Sequence, residues 1–390
     1  MEIDLANYEG REQAYVKHHF LANYVELLVM KVTSRYDSFA YVDGYSGPWK
    51  NTDEDFADTS FGIALKAMRN ARETWKERKG REIQMSAILV ERDPKAYERL
   101  QAIREQYPEI RIKTINGTFA DEVPTILAAI PSRAFSFVLI DPKGWKIDMQ
   151  KVQPLIRRPD CEVLLNFMFD FVNRFATCSH EGVIDGLRRL LPGTPWEARL
   201  GAIDKDDAAA PAARKLVLVD AIRETIGKLG GYPYVMETPV LYPLRDRTFY
   251  SLVYATRSSV GVEVFRDCQA KTLGAQDDMR SAKKDQMRSI KSGMDDLLAG
   301  VDTGQFHGQN WLREQEIAAE KELLALAAVD EEGCKYKDLW PQVLAECGVR
   351  KTRLGQMAAN LKASGDLYFP DWEPNRRVPQ DHYRVIRGQP

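Results

Sequence analysis

YVMETPVLYPLRDRTFYSLVYATR, Tyr234–Arg257, holds two apolar runs separated by a short polar turn. Tyr234–Leu244 and Thr248–Arg257 are rich in Val, Tyr, Phe and Thr, the residue types that fit a strand. A connection this short joins strands only in antiparallel fashion. The pair therefore reads as a hairpin that closes the edge of a sheet.

Upstream of the hairpin the pattern differs. SFAYVD (38–43), MSAILVERD (85–93), RIKTING (111–117), AFSFVLIDP (134–142) and CEVLLNFM (161–168) are short runs, apolar nearly throughout. Strands buried on both faces read this way. Helical patterns separate them: about Phe61 to Lys79, Ala96 to Tyr107, Ala120 to Ile130, and a short one near Met149–Ile156. A further helix over 12–31 precedes the first strand, with Val16, Phe20, Tyr24 and Leu27 at helical spacing. Asp58, Thr59 and Ser60 are good capping residues before the 61–79 helix. Strand and helix alternate five times, which predicts a parallel sheet with helices on both faces. About sixty residues from 170 to 230 look helical and irregular, with DKDDAAAPAARK (204–215) as an Ala/Pro-rich connector. They form an insertion before the hairpin.

The whole chain sets wider bounds. Its 390 residues allow one large core and a smaller one, and the net charge of −2 excludes a chain that is basic throughout. Five cysteines, Cys161, Cys178, Cys268, Cys334 and Cys347, include no CxxC pair. They point to a reducing cytoplasm rather than a disulfide framework or zinc site. The five histidines form no HxxxH or HExxH pattern, so no metal site is expected. The polar start MEIDLANYEGREQ is not a signal peptide. No apolar run approaches about 18 residues, so no membrane span is expected.

Ligands in an open parallel sheet bind beyond the carboxyl ends of the strands. The first strand ends in Asp43-Gly44-Tyr45-Ser46-Gly47, where an acid can fix a polar group and the glycines let backbone approach a ligand. A structural turn explains the same residues. The second strand ends at Glu91, placed to accept hydrogen bonds from ribose hydroxyls, while Asp93-Pro94 makes a helix cap. The gap from Asp43 to Glu91 is 48 residues, against about 20 in a dinucleotide fingerprint. That favours an adenosine-bearing ligand other than NAD. Asn116 and Thr118 end the third strand, beside an adenine or in an Asn-Gly turn. Asp141-Pro142-Lys143-Gly144 ends the fourth. It satisfies a type I turn, and equally places a carboxylate and the Pro142 carbonyl to hold an amino group, with Trp145 to stack on a base.

In this order the four strand ends resemble a class I S-adenosylmethionine (SAM) methyltransferase. The closer resemblance is to the three-Cys-motif partner (TcmP) family. It rests on YVDGYSGPW, ADTSFGIAL, INGT and LIDPKGW, after an N-terminal helix carrying Lys17 and Tyr24, and covers about residues 12–265. The resemblance implies a Rossmann-like sheet of seven strands, mostly parallel with the last antiparallel. It implies a SAM pocket over Lys17, Asp43, Gly44, Tyr45, Ser46, Gly47, Ser60, Glu91, Arg92, Asn116, Gly117 and Thr118. It implies catalysis at Asp141, Pro142, Lys143 and Trp145. Four positions depart from the family patterns. Trp49 replaces a glycine, Thr118 replaces an acid, Lys143 replaces the second proline of Asp-Pro-Pro-Tyr, and Trp145 stands one place beyond the tyrosine. Lys17 and His18 lie on a helix that lids the cofactor in related enzymes; here a solvated face explains them equally.

Past the methyltransferase-like domain, 1–262, residues 263–325 are charged and helical and read as a connector. Residues 326–390 read as three helices and a two-stranded hairpin, the recipe for a winged helix. Arg350, Lys351, Arg353, Lys362, Arg376 and Arg377 lie on its third helix and loop. From Arg350 onward there are eight basic and four acidic residues, an excess suited to a phosphate backbone. Packing against protein is the other use of such a module. Two functions follow: N-methylation of a DNA or RNA base at Asp141-Pro142, or a weakly active SAM-binding partner of a three-Cys-motif protein. A binder acting through the winged helix alone is a third.

Overall fold

The computed structural model describes residues 3–47, 56, 58–170, 172, 181–204, 206–207, 209–292, 307–330 and 332–388. The chain divides into two compact units, Met1–Arg257 and Ser258–Pro390. Pro48, Trp49 and Cys178 lie outside the described residues.

In the first unit, β1 (Ser38–Asp43) is buried along its whole length. It pairs in parallel with β2 (Gln84–Glu91) on one side and β4 (Phe135–Ile140) on the other. β3 (Arg111–Asn116) lies outside β2, and β5 (Cys161–Phe167) beyond β4. The hairpin strands are β6 (Tyr234–Leu241) and β7 (Thr248–Thr256). The sheet order is β3-β2-β1-β4-β5-β7-β6, with β7 antiparallel to both neighbours. This is the Rossmann-like, mostly parallel sheet that the sequence predicts. Pro239 sits in β6, the edge strand, where a missing N–H costs no central ladder bond.

The helices follow the expected order with local differences. α1 (Glu12–Thr33) buries Val16, Phe20, Tyr24 and Leu28, a stripe running by fours, while Leu27 is 39% exposed. α2 (Ser60–Lys79) begins at Thr59, whose side chain accepts from the Gly62 N–H. The helix expected over 96–107 is broken into α3 (Pro94–Leu100) and α4 (Ile103–Gln106); α3 is capped by Asp93. α5 (Val123–Ala129) and α6 (Met149–Ile156) complete the alternation. In the insertion, α7 (Glu181–Leu190) and α8 (Trp196–Gly201) precede α9 (Ala210–Gly230). The second half of the supposed connector is thus the first turns of α9. Pro211 is tolerated there because its missing N–H would have no partner anyway.

One buried polar cluster ties α1 to the sheet. The Tyr24 hydroxyl lies 2.7 Å from Glu162 Oε2 and 2.6 Å from the Tyr254 hydroxyl, and Thr256 Oγ1 donates to Glu162 Oε1 at 2.8 Å. Burial pushes the Glu162 carboxyl up.

The second unit contains α10 (Ser259–Ser292), α11 (His307–Leu326), α12 (Tyr336–Glu346) and α13 (Lys351–Ser364). Its sheet has the order β8-β10-β9, from β8 (Cys334–Lys335), β9 (Leu367–Tyr368) and β10 (Arg384–Arg387), with both pairings antiparallel. The charged stretch before residue 326 forms α10 and α11, and both pack on α12. Buried Arg266 of α10 donates to the Leu344 and Ala345 carbonyls at the end of α12 (2.6 and 3.1 Å), groups a helix leaves unpaired. No described helix is long and apolar enough to cross a membrane.

Candidate functional site

The chain runs from β1 outward to β3 and then returns to β4 beside β1. The switch point of the sheet therefore lies between the carboxyl ends of β1 and β4. Asp43 pairs with Leu139 in register, so Asp141 leaves the sheet close beside it. Two cavities open there, of about 450 and 1010 Å³. Both fall near the range of small-molecule sites. Tyr45, Asp141, Pro142 and Lys143 line both.

Asp43 is 1% exposed. Its Oδ1 accepts from the Tyr45 N–H at 2.9 Å and its Oδ2 from the Tyr41 hydroxyl at 3.0 Å. Its carboxyl is pushed up to about 6, mainly by burial and further by Asp141, against the pull of these donors and of Lys17. The rest of the loop is strung between strands. Gly44 N–H donates to Leu139 O, and Ser46 N–H to Val90 O. A Cβ on Gly44 would stand 2.7 Å from the Phe119 ring, which explains that glycine by packing. Gly47 lines the smaller cavity.

Glu91, Arg92, Gly117 and Thr118 line the larger cavity. Glu91 Oε1 accepts from the Asp93 N–H at 2.6 Å, and Oε2 has no hydrogen-bond partner among the described residues. Asn116 does not line the cavity. Its amide donates to the Glu91 and Arg92 carbonyls, so it fixes the end of β2.

The 141–144 segment forms no hydrogen-bonded type I turn; Gly144 lies in the left-handed region at φ +101°. The Asp141 carboxylate is held instead by side chains of α1 and β5. Its Oδ2 is bound by Lys17 Nζ and its Oδ1 accepts from Asn166 Nδ2 at 2.6 Å. Lys17, expected against the cofactor, is thus the ion-pair partner of Asp141. Lys143 is exposed and lines both cavities. Trp145 lines the larger cavity but is 5% exposed. A Cβ on Gly186 of α7 would meet its ring at 2.1 Å, so much of the indole is spent on packing the insertion.

The N-terminal segment walls the smaller cavity with Gly10, Arg11, Gln13 and Ala14. His18 is buried between the Tyr8 hydroxyl (2.9 Å) and Ser60 Oγ (3.3 Å). Burial, then Lys17 and Arg11, push its imidazole well down, so it is neutral. Arg11 pairs with Asp58 Oδ2 at 2.9 Å, while Asp58 Oδ1 is buried with no partner among the described residues.

Asn166, Asp58, Arg11 and Tyr250 are site residues that the sequence reading passed over. Asn166 carried a signal, being a polar residue near the carboxyl end of an apolar strand. Tyr250 lines the cavity and its hydroxyl donates to the Gln13 carbonyl at 2.6 Å. Nothing local marks that long-range contact.

In the second unit most of the basic residues are engaged internally. Arg350 pairs with Asp267 (2.9 Å) and Arg353 makes two contacts of 2.8 Å with Glu316. Lys351 lies 3.2 Å from Asp381 and 4.0 Å over the Trp340 ring. Arg376 pairs with Glu373, and Lys362 stands over Trp372. Arg377 is exposed, with no acidic partner among the described residues.

No protein-family model and no curated protein matches the chain. Solved structures similar to it include the following three. The precorrin-6y C5,15-methyltransferase of Geobacter metallireducens GS-15 is 9% identical, with 60% of this chain and 87% of that one covered and a TM-score of 0.28. The CMeT domain of citrinin polyketide synthase is 16% identical, over 57% of this chain and 47% of that one, with a TM-score of 0.26. Loganic acid methyltransferase with SAH is 7% identical, over 68% and 83%, with a TM-score of 0.27. Likenesses this weak carry no argument, and the fold rests on the strand order itself.

Proposed function

We propose that the chain is a SAM-dependent methyltransferase acting on an amino nitrogen of a nucleic-acid base. The observation that carries this reading is the place of Asp141, at the switch point and on the common wall of two cavities.

The residues present fit the cofactor. Glu91 Oε2, left without a partner on the larger cavity, suits a ribose hydroxyl. Asp58 Oδ1, a buried acceptor without a donor, suits an ammonium group. When bound, SAM supplies a methyl group on a cationic sulfur. Asp141 accepts a hydrogen of the amino group, which keeps its lone pair out of the aromatic ring. Positive charge would grow on the amino nitrogen as it took up that methyl group, with S-adenosylhomocysteine as the leaving group. The Asp141 carboxylate stabilises that charge more in the transition state than in the ground state. It then takes the proton that nitrogen loses and passes it to solvent. Lys17 and Asn166 hold the carboxylate still, which keeps the nitrogen in line for attack. A base in a duplex must be flipped out to reach it.

From α11 onward the helix–strand–helix–helix–strand–strand order of the second unit supports a winged helix, and among the six basic residues read as a phosphate surface Arg377 and Lys362 have no acidic partner among the described residues. Free, buried Cys161, Cys268 and Cys347 support a cytoplasmic location. Radiolabelled SAM with single-stranded DNA and RNA tests the reading. Transfer lost in Asp141→Ala, with S-adenosylhomocysteine still bound in calorimetry, is expected. Unchanged turnover in that variant would remove Asp141 from catalysis, and absence of cofactor binding would end the whole reading.

A second reading is favoured by one observation: Lys17 already occupies Asp141. On that reading the chain is a TcmP-type SAM-binding partner, and a three-Cys-motif companion shares the chemistry. Activity that appears only in such a complex separates the two.

A further inference from the structure

We infer that Asn166 selects a primary amino group and so limits the reaction to one methyl per nitrogen. The inference rests on the methyl-transfer reading above and names the class of its acceptor.

Asn166 is 5% exposed, near the carboxyl end of β5, where its neighbour Leu165 pairs with Ile140 of β4. That register sets it level with Asp141. A carboxylate only accepts hydrogen bonds, so the contact at 2.6 Å requires the Asn166 NH2 to face Asp141. The amide orientation is therefore fixed, and the carbonyl is turned away from Asp141. That Oδ1 is buried and has no hydrogen-bond partner among the described residues, while Asn166 lines the smaller cavity. A rigid acceptor left unpaired at a site is completed by a donor from the ligand.

Asp141 and Asn166 thus both line the smaller cavity, and each carries an acceptor. A primary amino group has two N–H bonds and satisfies both. After one methylation it keeps one N–H, and either Asp141 or Asn166 Oδ1 goes without. Sites built to bond an N–H discriminate against analogues lacking it because their own buried group is stranded.

The test uses the full chain loaded with S-adenosylhomocysteine and titrated in a calorimeter. The probes are short single-stranded DNAs carrying one adenine, cytosine or guanine, each unmodified or with one methyl on its amino nitrogen. For at least one base the unmodified probe is expected to bind roughly tenfold tighter than its methylated form. Asn166→Leu, with S-adenosylhomocysteine binding and thermal midpoint checked, is expected to weaken the unmodified probe and erase the difference. Equal affinity within all three pairs overturns the inference, as does a preference that survives in Asn166→Leu. If S-adenosylhomocysteine binds but no probe does, the inference falls while the cofactor reading stands. If S-adenosylhomocysteine does not bind, both fall.

Discussion

Replacing Asp43 with asparagine removes one buried charge and keeps the geometry around it. The Asn carbonyl still accepts from the Tyr45 N–H, and the Tyr41 hydroxyl accepts from the new NH2 in place of donating. The carboxyl it replaces is raised from its ordinary 3.8 to about 6, with burial the largest cause and Asp141 the next that raises it. A carboxyl raised in the folded state binds its proton more tightly folded than unfolded. Its contribution is favourable below the unfolded value and is lost as pH rises through the folded one. With these two values, ionised Asp43 costs the fold about 3 kcal/mol at pH 7 and less than about 1 kcal/mol at pH 4. Asp43→Asn is therefore expected to be more stable than wild type at pH 7 by up to about 3 kcal/mol, with the gain mostly gone by pH 4. The first unit spans Met1–Arg257, a size at which this gain raises the thermal midpoint by roughly 6–12 °C. Urea unfolding followed by tryptophan fluorescence at both pH values reads it directly. A variant less stable at pH 7, or a gain that persists unchanged at pH 4, would refute the reasoning.

The same carboxyl links cofactor binding to protons. On the SAM reading, a cation in the smaller cavity, which Asp43 lines, favours its ionised form, so SAM binding at pH 6 is expected to release up to about half a proton and at pH 8 almost none; calorimetry in buffers of different ionisation enthalpy measures this. Glu162→Ala is expected to cost about 3 kcal/mol, from lost methylenes and from hydroxyls of Tyr24, Tyr254 and Thr256 left without their acceptor; a urea midpoint within error of wild type would contradict the cluster's role. Of the six basic residues read as a phosphate surface, only Lys362 and Arg377 lack an acidic partner among the described residues. Affinity for short DNA is therefore expected to fall with salt at a logarithmic slope no steeper than about −2, and Arg377→Ala to reduce it by about one. A slope of about −4 would mean that the internal ion pairs open on binding.

How much of this was legible in the sequence depends on the range of the interaction. Strand runs and helix periods are local, so the five alternations and the closing hairpin could be read directly. Met149–Ile156 even has the bounds that its pattern suggests. Asp43, Glu91 and Asp141 were placed at the cavities because the fold class itself says where strand ends meet. What the pattern does not contain is which side chain reaches which. Lys17 and Asp141 are 124 residues apart in sequence, and their pairing needs the helix, the strand and the tilt between them. Trp145 looked free to stack because nothing near it in sequence shows that Gly186 will arrive against its ring. The basic residues of α13 looked like a phosphate surface for the same reason. Arg353 meets Glu316 of α11 from upstream, and Lys351 meets Asp381 from downstream.

The charge at the site is set some distance from it. Asp43 and Asp141 sit at neighbouring strand ends, and two adjacent carboxylates do not ionise independently. Lys17 forms its ion pair with Asp141, whereas the Asp43 carboxyl, raised by burial, accepts only from neutral donors among the described residues. Lys17 can do this only if α1 is fixed along its axis. Tyr24 lies about 10 Å further along α1, and its partner Glu162 lies about 13 Å back along β5 from Asn166. The helix and strand run in opposite senses, so the two contacts meet the sheet at opposite ends. The Tyr24–Glu162–Tyr254 cluster holds one end of α1 and Lys17 holds the other at Asp141. Loosening the buried cluster removes that hold on Lys17, whose charge also lowers the Asp43 carboxyl. Glu162 therefore acts on the site without touching it, through the position of a single lysine.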